Sequence, residues 1–184
     1  MVMSHSNGIL SHMKLLAEIS DASLGISDYK ILGKKFELRK SARAILLNAS
    51  KDVAIQYLTN HFFHKLPGGG VEDDETLQEA LMREIQEEVG CAITIVSEVG
   101  LVVECREKHS LLHLSYCYLA HVTGSIGNTS LEQAEIDEGV TTVWMKPEVA
   151  IAKMETDIPN TYQGKFILQR ELAFLREYVA TSAV

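Results

Sequence analysis

Residues 69–91 read GGVEDDETLQEALMREIQEEVGC, and their spacing decides the fold class. Gly69, Glu75, Arg83, Glu84, Glu87, Glu88 and Gly90 follow the pattern G-x5-E-x7-R-E-U-x-E-E-x-G-U, where U is a bulky apolar residue. Ile85 fills the first U and Cys91 the last. Seven fixed identities, each used at roughly 6%, recur by chance in on the order of one window in 10⁸ to 10⁹.

The physical content of the run can be read residue by residue. Thr76 to Val89 contains neither Gly nor Pro and is dominated by good helix formers. Leu77, Ala80, Leu81, Ile85 and Val89 recur at three- and four-residue steps, which marks one buried stripe. Thr76 or Asp74 can cap the start, and Gly90 stands where a left-handed stop is cheapest. The spacing therefore predicts a helix that carries Glu84, Glu87 and Glu88 on one side, at i, i+3 and i+4. Three carboxylates that close repel one another, and a hard divalent cation removes that cost. Arg83, four residues before Glu87, is placed to pair with it. Upstream, Leu66-Pro67-Gly68-Gly69-Gly70 is a turn whose backbone can come close to a ligand.

This pattern resembles the Nudix box, the signature of the Nudix hydrolases. The resemblance covers about residues 36–150, with its specificity in residues 66–91. It implies an α/β fold, a Nudix-type α/β/α sandwich with a mixed β-sheet between helices. It also implies Mg²⁺-dependent hydrolysis of a diphosphate linkage in a nucleoside diphosphate derivative, with Mn²⁺ able to substitute. Glu84, Glu87 and Glu88 become the expected metal ligands and Arg83 their orienting residue. On this reading residues 1–34 are an N-terminal extension with a short helix. Residues 35–184 are the Nudix hydrolase domain, including a C-terminal helix.

Outside the box the residues speak more quietly. Leu131 to Gly139 reads as a loop, and Glu135 within it is the candidate to bind metal or activate water, as loop glutamates do in several relatives. Arg43, Lys65, Gly68 and Gly69 are candidate substrate contacts. His113 lies in a strand pattern and reads as structural or pocket-lining. The ADP-ribose-cleaving subgroup carries a proline shortly past the box. Glu107 occupies that offset here, and no proline occurs between Pro67 and Pro147. The tyrosine of the diadenosine-polyphosphate subgroup is also unmatched, because Tyr116 and Tyr118 lie too far along. Small nucleoside triphosphates remain the default substrate class. Two alternatives on the same fold are a nucleotide-sensing regulator without turnover and isopentenyl-diphosphate-isomerase-like chemistry. The second requires an added His and Cys ligand set that the sequence does not display.

Composition sets outer limits. The 184 residues are 46% apolar and 23% charged, ordinary for one globular domain with decorations. A net charge of −8 argues against nucleic acid as a partner, though not against a nucleotide. Cys91, Cys105 and Cys117 form neither an even set nor a C-x-x-C pair, which fits a reducing, cytoplasmic setting. The start lacks a basic cap followed by a long apolar core, so no secretory leader is expected, and nothing is long and apolar enough to span a membrane. A homodimer is left open.

The remaining elements follow from periodicity. Ile9 to Ile19 reads as a short amphipathic helix, with apolar residues at 9, 10, 13, 16 and 19. Lys35–Lys40, Ala42–Ala49, Val53–Thr59, Phe62–Leu66, Ala92–Glu104, Leu111–Val122 and Val140–Met145 read as extended. Glu148–Met154 is a short helix after Pro147. Lys165–Val179 is an amphipathic helix with Phe166, Leu168, Leu172, Leu175 and Val179 on its inner face.

Overall fold

Thr76 starts helix α1 (Leu77–Glu88), its hydroxyl accepting from the Glu79 N–H while the Glu79 carboxylate accepts from the Thr76 N–H. This reciprocal cap satisfies two of the donors that a helix start leaves open. At the far end Gly90 takes φ +74°, and its N–H donates to Ile85 and Gln86, which stops the helix. These features come from a computed structural model that describes residues 13–26, 33 and 35–182.

Seven strands among the described residues form one mixed sheet. They are β1 (Leu15–Ser20), β2 (Glu37–Leu47), β3 (Val53–Leu58), β4 (Phe63–Lys65), β5 (Ala92–Arg106), β6 (Leu111–Thr123) and β7 (Val140–Met145). Their order is β1-β5-β6-β2-β3-β4, with β7 on the other edge of β3. β1 runs parallel to β5 and β2 parallel to β6, while the other pairs are antiparallel. Alternation along β2 shows how the layers arise. Ala42, Ala44 and Leu46 pack with Leu81 and Ile85 of α1 and with Val89 at its end, whereas Ile45 and Leu47 pack on the opposite face. There they meet Ala150 and Met154 of α3 (Pro147–Met154) and Phe166, Leu172, Phe174 and Leu175 of α4 (Tyr162–Ser182). The result is the expected α/β/α sandwich.

The structure corrects three sequence-based expectations. The short helix read over Ile9–Ile19 is not formed by Leu15–Ser20, which are strand β1; residues 9–12 lie outside the described residues. The spacing suited a helix, but the 15-residue β5 leaves an edge whose backbone groups need partners. β1 supplies them and buries Ile19 on the α4 side. The segments Lys35–Lys40 and Ala42–Ala49 are one continuous strand, β2. The loop Leu131–Gly139 contains a short helix, α2 (Gln133–Glu138).

Between the sheet and α4 lies a buried ionic cluster that periodicity could not reveal. Arg170 is fully buried and donates to Glu104 at 2.9 Å, Ser115 at 3.2 Å and Glu171 at 2.6 Å. Arg106 pairs with the other oxygen of Glu104, and His113 Nε2 meets the Ser41 hydroxyl at 3.1 Å. Burial opposes charge on Glu104, yet Arg170, His113 and Arg106 together hold its carboxyl well below the usual range. His113 is thus structural, as its strand position suggested.

This cluster makes folding sensitive to acid. Burial pushes His113 down to about 4, outweighing the pull of Glu104. In the unfolded chain a histidine titrates near about 6.5. A depressed folded value means that the stability is fully present above about 6.5 and is lost as pH falls toward the folded value. Urea unfolding between pH 7 and 4.5 should show a steeper loss of stability in the wild type than in His113→Asn. Parallel curves would exclude His113 as a source of the dependence. At neutral pH, Arg170→Met should destabilise by about 3–5 kcal/mol, because it leaves the buried Glu171 without its cation and Glu104 with Arg106 alone. A loss within that of ordinary surface changes would contradict the pairing.

Candidate active site

The glycine turn is stitched to β2 before it reaches α1. Ala44 N–H donates to Pro67 O, Ala42 N–H to Gly69 O, and Val71 N–H to Lys40 O, at 3.0–3.1 Å. Gly68 has φ +122°, and a Cβ there would meet the Ala42 carbonyl oxygen. A Cβ at Gly69 would fall on the Glu84 carboxylate. The two box-entry glycines therefore leave room for a carboxylate and for close passage of the backbone past β2.

Arg83 organises the helix carboxylates. Its Nε and Nη2 bind both oxygens of Glu75, at 2.8 and 3.1 Å. Nη1 reaches Glu84 at 2.9 Å and Glu87 at 3.3 Å, and Nη2 also reaches the Gly70 carbonyl at 3.1 Å. The expected Arg83–Glu87 pair is present, but the bidentate partner is Glu75, which explains a box glutamate eight residues away. The hydrogen bond to Glu75 holds the guanidinium well above its ordinary value, and the same bond lowers Glu75. Burial raises Glu84, with repulsion from Glu88 adding to it.

The three helix glutamates differ in surroundings. Glu87 is the most open, with 35% of its side chain exposed, Glu84 shows 15%, and Glu88 only 2%. Glu88 accepts from the Gly68 N–H through Oε2 and from Lys65 Nζ through Oε1 at 3.2 Å. Lys65, on β4, has 12% of its side chain exposed.

Glu135 reaches the same place from α2. Ser130 N–H donates to Glu87 O at 2.7 Å and Gly127 N–H to Gly90 O at 2.8 Å, which ties the preceding segment to the end of α1. Glu135 then lies against Glu88. Burial and hydrogen bonding with Glu88 push its carboxyl up to about 7, against the opposing Glu132 N–H. Arg43, on β2, is buried, and its Nε and Nη1 have no partner. Burial lowers its value, as does the nearby Arg170. It lines a cleft of about 410 Å³ with Lys65, His61, Phe63, Glu138 and Tyr162.

Arg43, Lys65, Gly68, Gly69, Arg83, Glu84, Glu88 and Glu135 are thus joined by contacts or by one cleft, and Glu87 is held through Arg83. Sequence reasoning missed Tyr162 at the start of α4 and Gln56 on β3, a fully buried amide with neither atom partnered. Both arrive by topology, so no local pattern marked them.

The donor set suits a hard cation, since every candidate ligand is an oxygen. Among the described residues, however, no three His, Cys, Asp or Glu side chains gather as a ligand set. The protein's own cations hold them: Arg83 takes Glu84 and Glu87, and Lys65 takes Glu88. Their oxygen-only chemistry fits a hard divalent ion, which would compete with these cations for the carboxylates.

The family model of the NUDIX domain matches residues 37–164, so the chain belongs to the NUDIX family. A stretch of 44 residues is 46% identical to the 8-oxo-dGTP diphosphatase of Proteus vulgaris, covering 23% of this chain and 39% of that protein. A NUDIX hydrolase from Nitrosomonas europaea shares the fold at TM-score 0.58 and 17% identity, over 79% of this chain and 90% of that one. The MutT protein from Methanosarcina mazei Go1 does so at TM-score 0.52 and 18% identity, over 79% and 99%.

The Arg83 geometry can be tested directly. Arg83→Ala and Glu75→Gln should each lower kcat about ten- to a hundred-fold, the range for residues that orient metal-binding carboxylates. Circular dichroism should show the helix retained. Wild-type rates in Glu75→Gln would show that the bidentate pair has no part in catalysis.

Proposed function

We propose that the protein hydrolyses a diphosphate linkage in nucleoside diphosphate derivatives, using Mg²⁺, with nucleoside triphosphates as the first class to test. The observation that carries this reading is Glu88 of α1, buried against Glu135 and paired with Lys65, which lines one cleft with the unpartnered Arg43. The likeness to an 8-oxo-dGTP diphosphatase, over 39% of that protein's length, makes oxidised purine triphosphates worth including.

The residues divide the work. Glu84, Glu87 and Glu88 would hold the divalent cation, with Arg83 fixing the first two and the Gly68 N–H fixing the third. When bound, that ion supplies Lewis-acid polarisation of a phosphoryl oxygen. Arg43, buried and unpartnered, offers its guanidinium to a phosphate in the cleft. Glu135 serves as the proton acceptor. A water oxygen attacks phosphorus, its proton passes to the Glu135 carboxylate, and the bond to the bridging oxygen breaks. A carboxyl raised by burial is a better base than an exposed one. Three free thiols fit work in a reducing compartment such as the cytoplasm.

Incubation with Mg²⁺ and a panel of nucleoside triphosphates, nucleotide sugars and dinucleotides, with products identified by mass, tests the reading. ¹⁸O-water locates the attacked phosphorus. EDTA should abolish turnover and Mg²⁺ or Mn²⁺ restore it. Full activity after exhaustive chelation would refute the metal requirement. Glu87→Gln and Glu135→Gln should each lower kcat at least about ten-fold with the fold intact. If Glu135→Gln is silent while Glu132→Gln or Glu138→Gln is not, the acceptor is a neighbour on the same segment.

A further inference from the structure

We propose that Lys65 is an exchanging counter-ion: it neutralises Glu88 until a divalent cation arrives, then passes to the phosphate chain of the substrate. The proposal rests on the reading of Glu88 as a metal ligand. Metal and anionic substrate then assist each other's binding through this one side chain.

Glu88 is 2% exposed and Lys65 12%, so neither charge is well hydrated. A buried carboxylate requires compensation, and the Lys65 ammonium at 3.2 Å provides it. A cation that takes Glu88 Oε1 must displace that ammonium, since two positive centres cannot share the oxygen without strong repulsion. The displaced ammonium then loses its paired counter-charge, and Glu135, which also feels it, is itself drawn to Glu88. Gln56, its cross-strand neighbour on β3, has a buried and unpartnered amide, but an amide is neutral. An open direction is the cleft that Lys65 already lines with Arg43 and Glu138. A phosphate there completes the exchange. A planar guanidinium would be held in one orientation, whereas an ammonium on a flexible stem can turn between partners.

A static role predicts the opposite sign. Were Lys65 only a clamp that orients Glu88, its removal would weaken metal binding. As a competitor, its removal tightens metal binding, because the Gly68 N–H still holds the other oxygen of Glu88. Linkage adds a second consequence. If metal frees Lys65 for phosphate, then phosphate favours metal by the same factor.

Isothermal titration of Mn²⁺ into the wild type, Lys65→Met, Lys65→Arg and Glu88→Gln separates these roles without recourse to activity. Lys65→Met should bind Mn²⁺ about fivefold tighter or more in the absence of any anion. Lys65→Arg, which keeps the charge, should show no such gain. Inorganic phosphate should bind the Mn²⁺-loaded wild type better than the loaded Lys65→Met, and the gain from Mn²⁺ should shrink in that variant. Near-ultraviolet circular dichroism checks folding, and Lys65→Gln replaces Lys65→Met if the latter folds poorly. Unchanged or weaker Mn²⁺ binding in the charge-removing variant overturns the exchange. If that occurs while Glu88→Gln loses Mn²⁺, only the role of Lys65 fails. If Glu88→Gln binds Mn²⁺ normally, the reading of Glu88 as a ligand fails with it.

Discussion

Carboxylates crowd one corner of this fold, and their repulsion sets the terms on which the rest is built. Glu84, Glu87 and Glu88 share the last turns of α1, and Glu135 is brought against Glu88 by a separate segment. Arg83 and Lys65 offset part of that repulsion, while burial, with Glu88 adding to it, raises Glu84 and Glu135. Stability alone gives no reason to bury carboxylates together beside a cleft. Residues kept in such a state are the expected signature of a place where charge arrives during function.

The opposite face of the sheet solves a different electrostatic problem. Arg170, Glu104, Arg106 and Glu171 are buried together, and their charges are compensated within the cluster. Arg43 stands between the two systems. It feels Arg170 and Glu171 on one side and Glu88 and Glu84 on the other, yet two of its nitrogens have no partner. Its neighbours thus hold the guanidinium in place without saturating it. That arrangement suits a group meant to meet an anion that comes and goes.

How legible this was in the sequence depends on the range of the interaction. The α1 boundaries, its cap, its stop and its buried stripe all come from contacts within a few residues, and each is visible in residues 76–90. The Arg83–Glu87 pair is likewise local. The strand nature of Leu15–Ser20 is not, because it depends on the free edge of β5 some eighty residues later. Arg170 and Glu171 fall outside the apolar stripe read for the C-terminal helix, and it is Glu104 of β5 and Ser115 of β6 that give Arg170 buried partners. Glu135 could be proposed from the resemblance. Its contact with Glu88 needed the bonds from Gly127 and Ser130 to the end of α1.

The contacts around Glu88 depend on one irregularity of the sheet. β2 and β3 share a single register pair, Leu47 with Val53, and then part. The edge of β2 left open is taken instead by the glycine turn, through Pro67 and Gly69 carbonyls that accept from Ala44 and Ala42. A side chain at Gly68 would meet the β2 backbone and one at Gly69 would displace Glu84, so the substitution of either closes the gap from a different side. Because the turn lies against β2, the Gly68 N–H points at Glu88, and β4, just before the turn, brings Lys65 to the same carboxylate. Because β3 has moved away, Arg43 opens onto a cleft rather than onto a neighbouring strand. The glycines, the splayed strands and the paired cations are therefore consequences of one constraint: a backbone turn must pass between a strand and a cluster of carboxylates without filling the space that a phosphate would use.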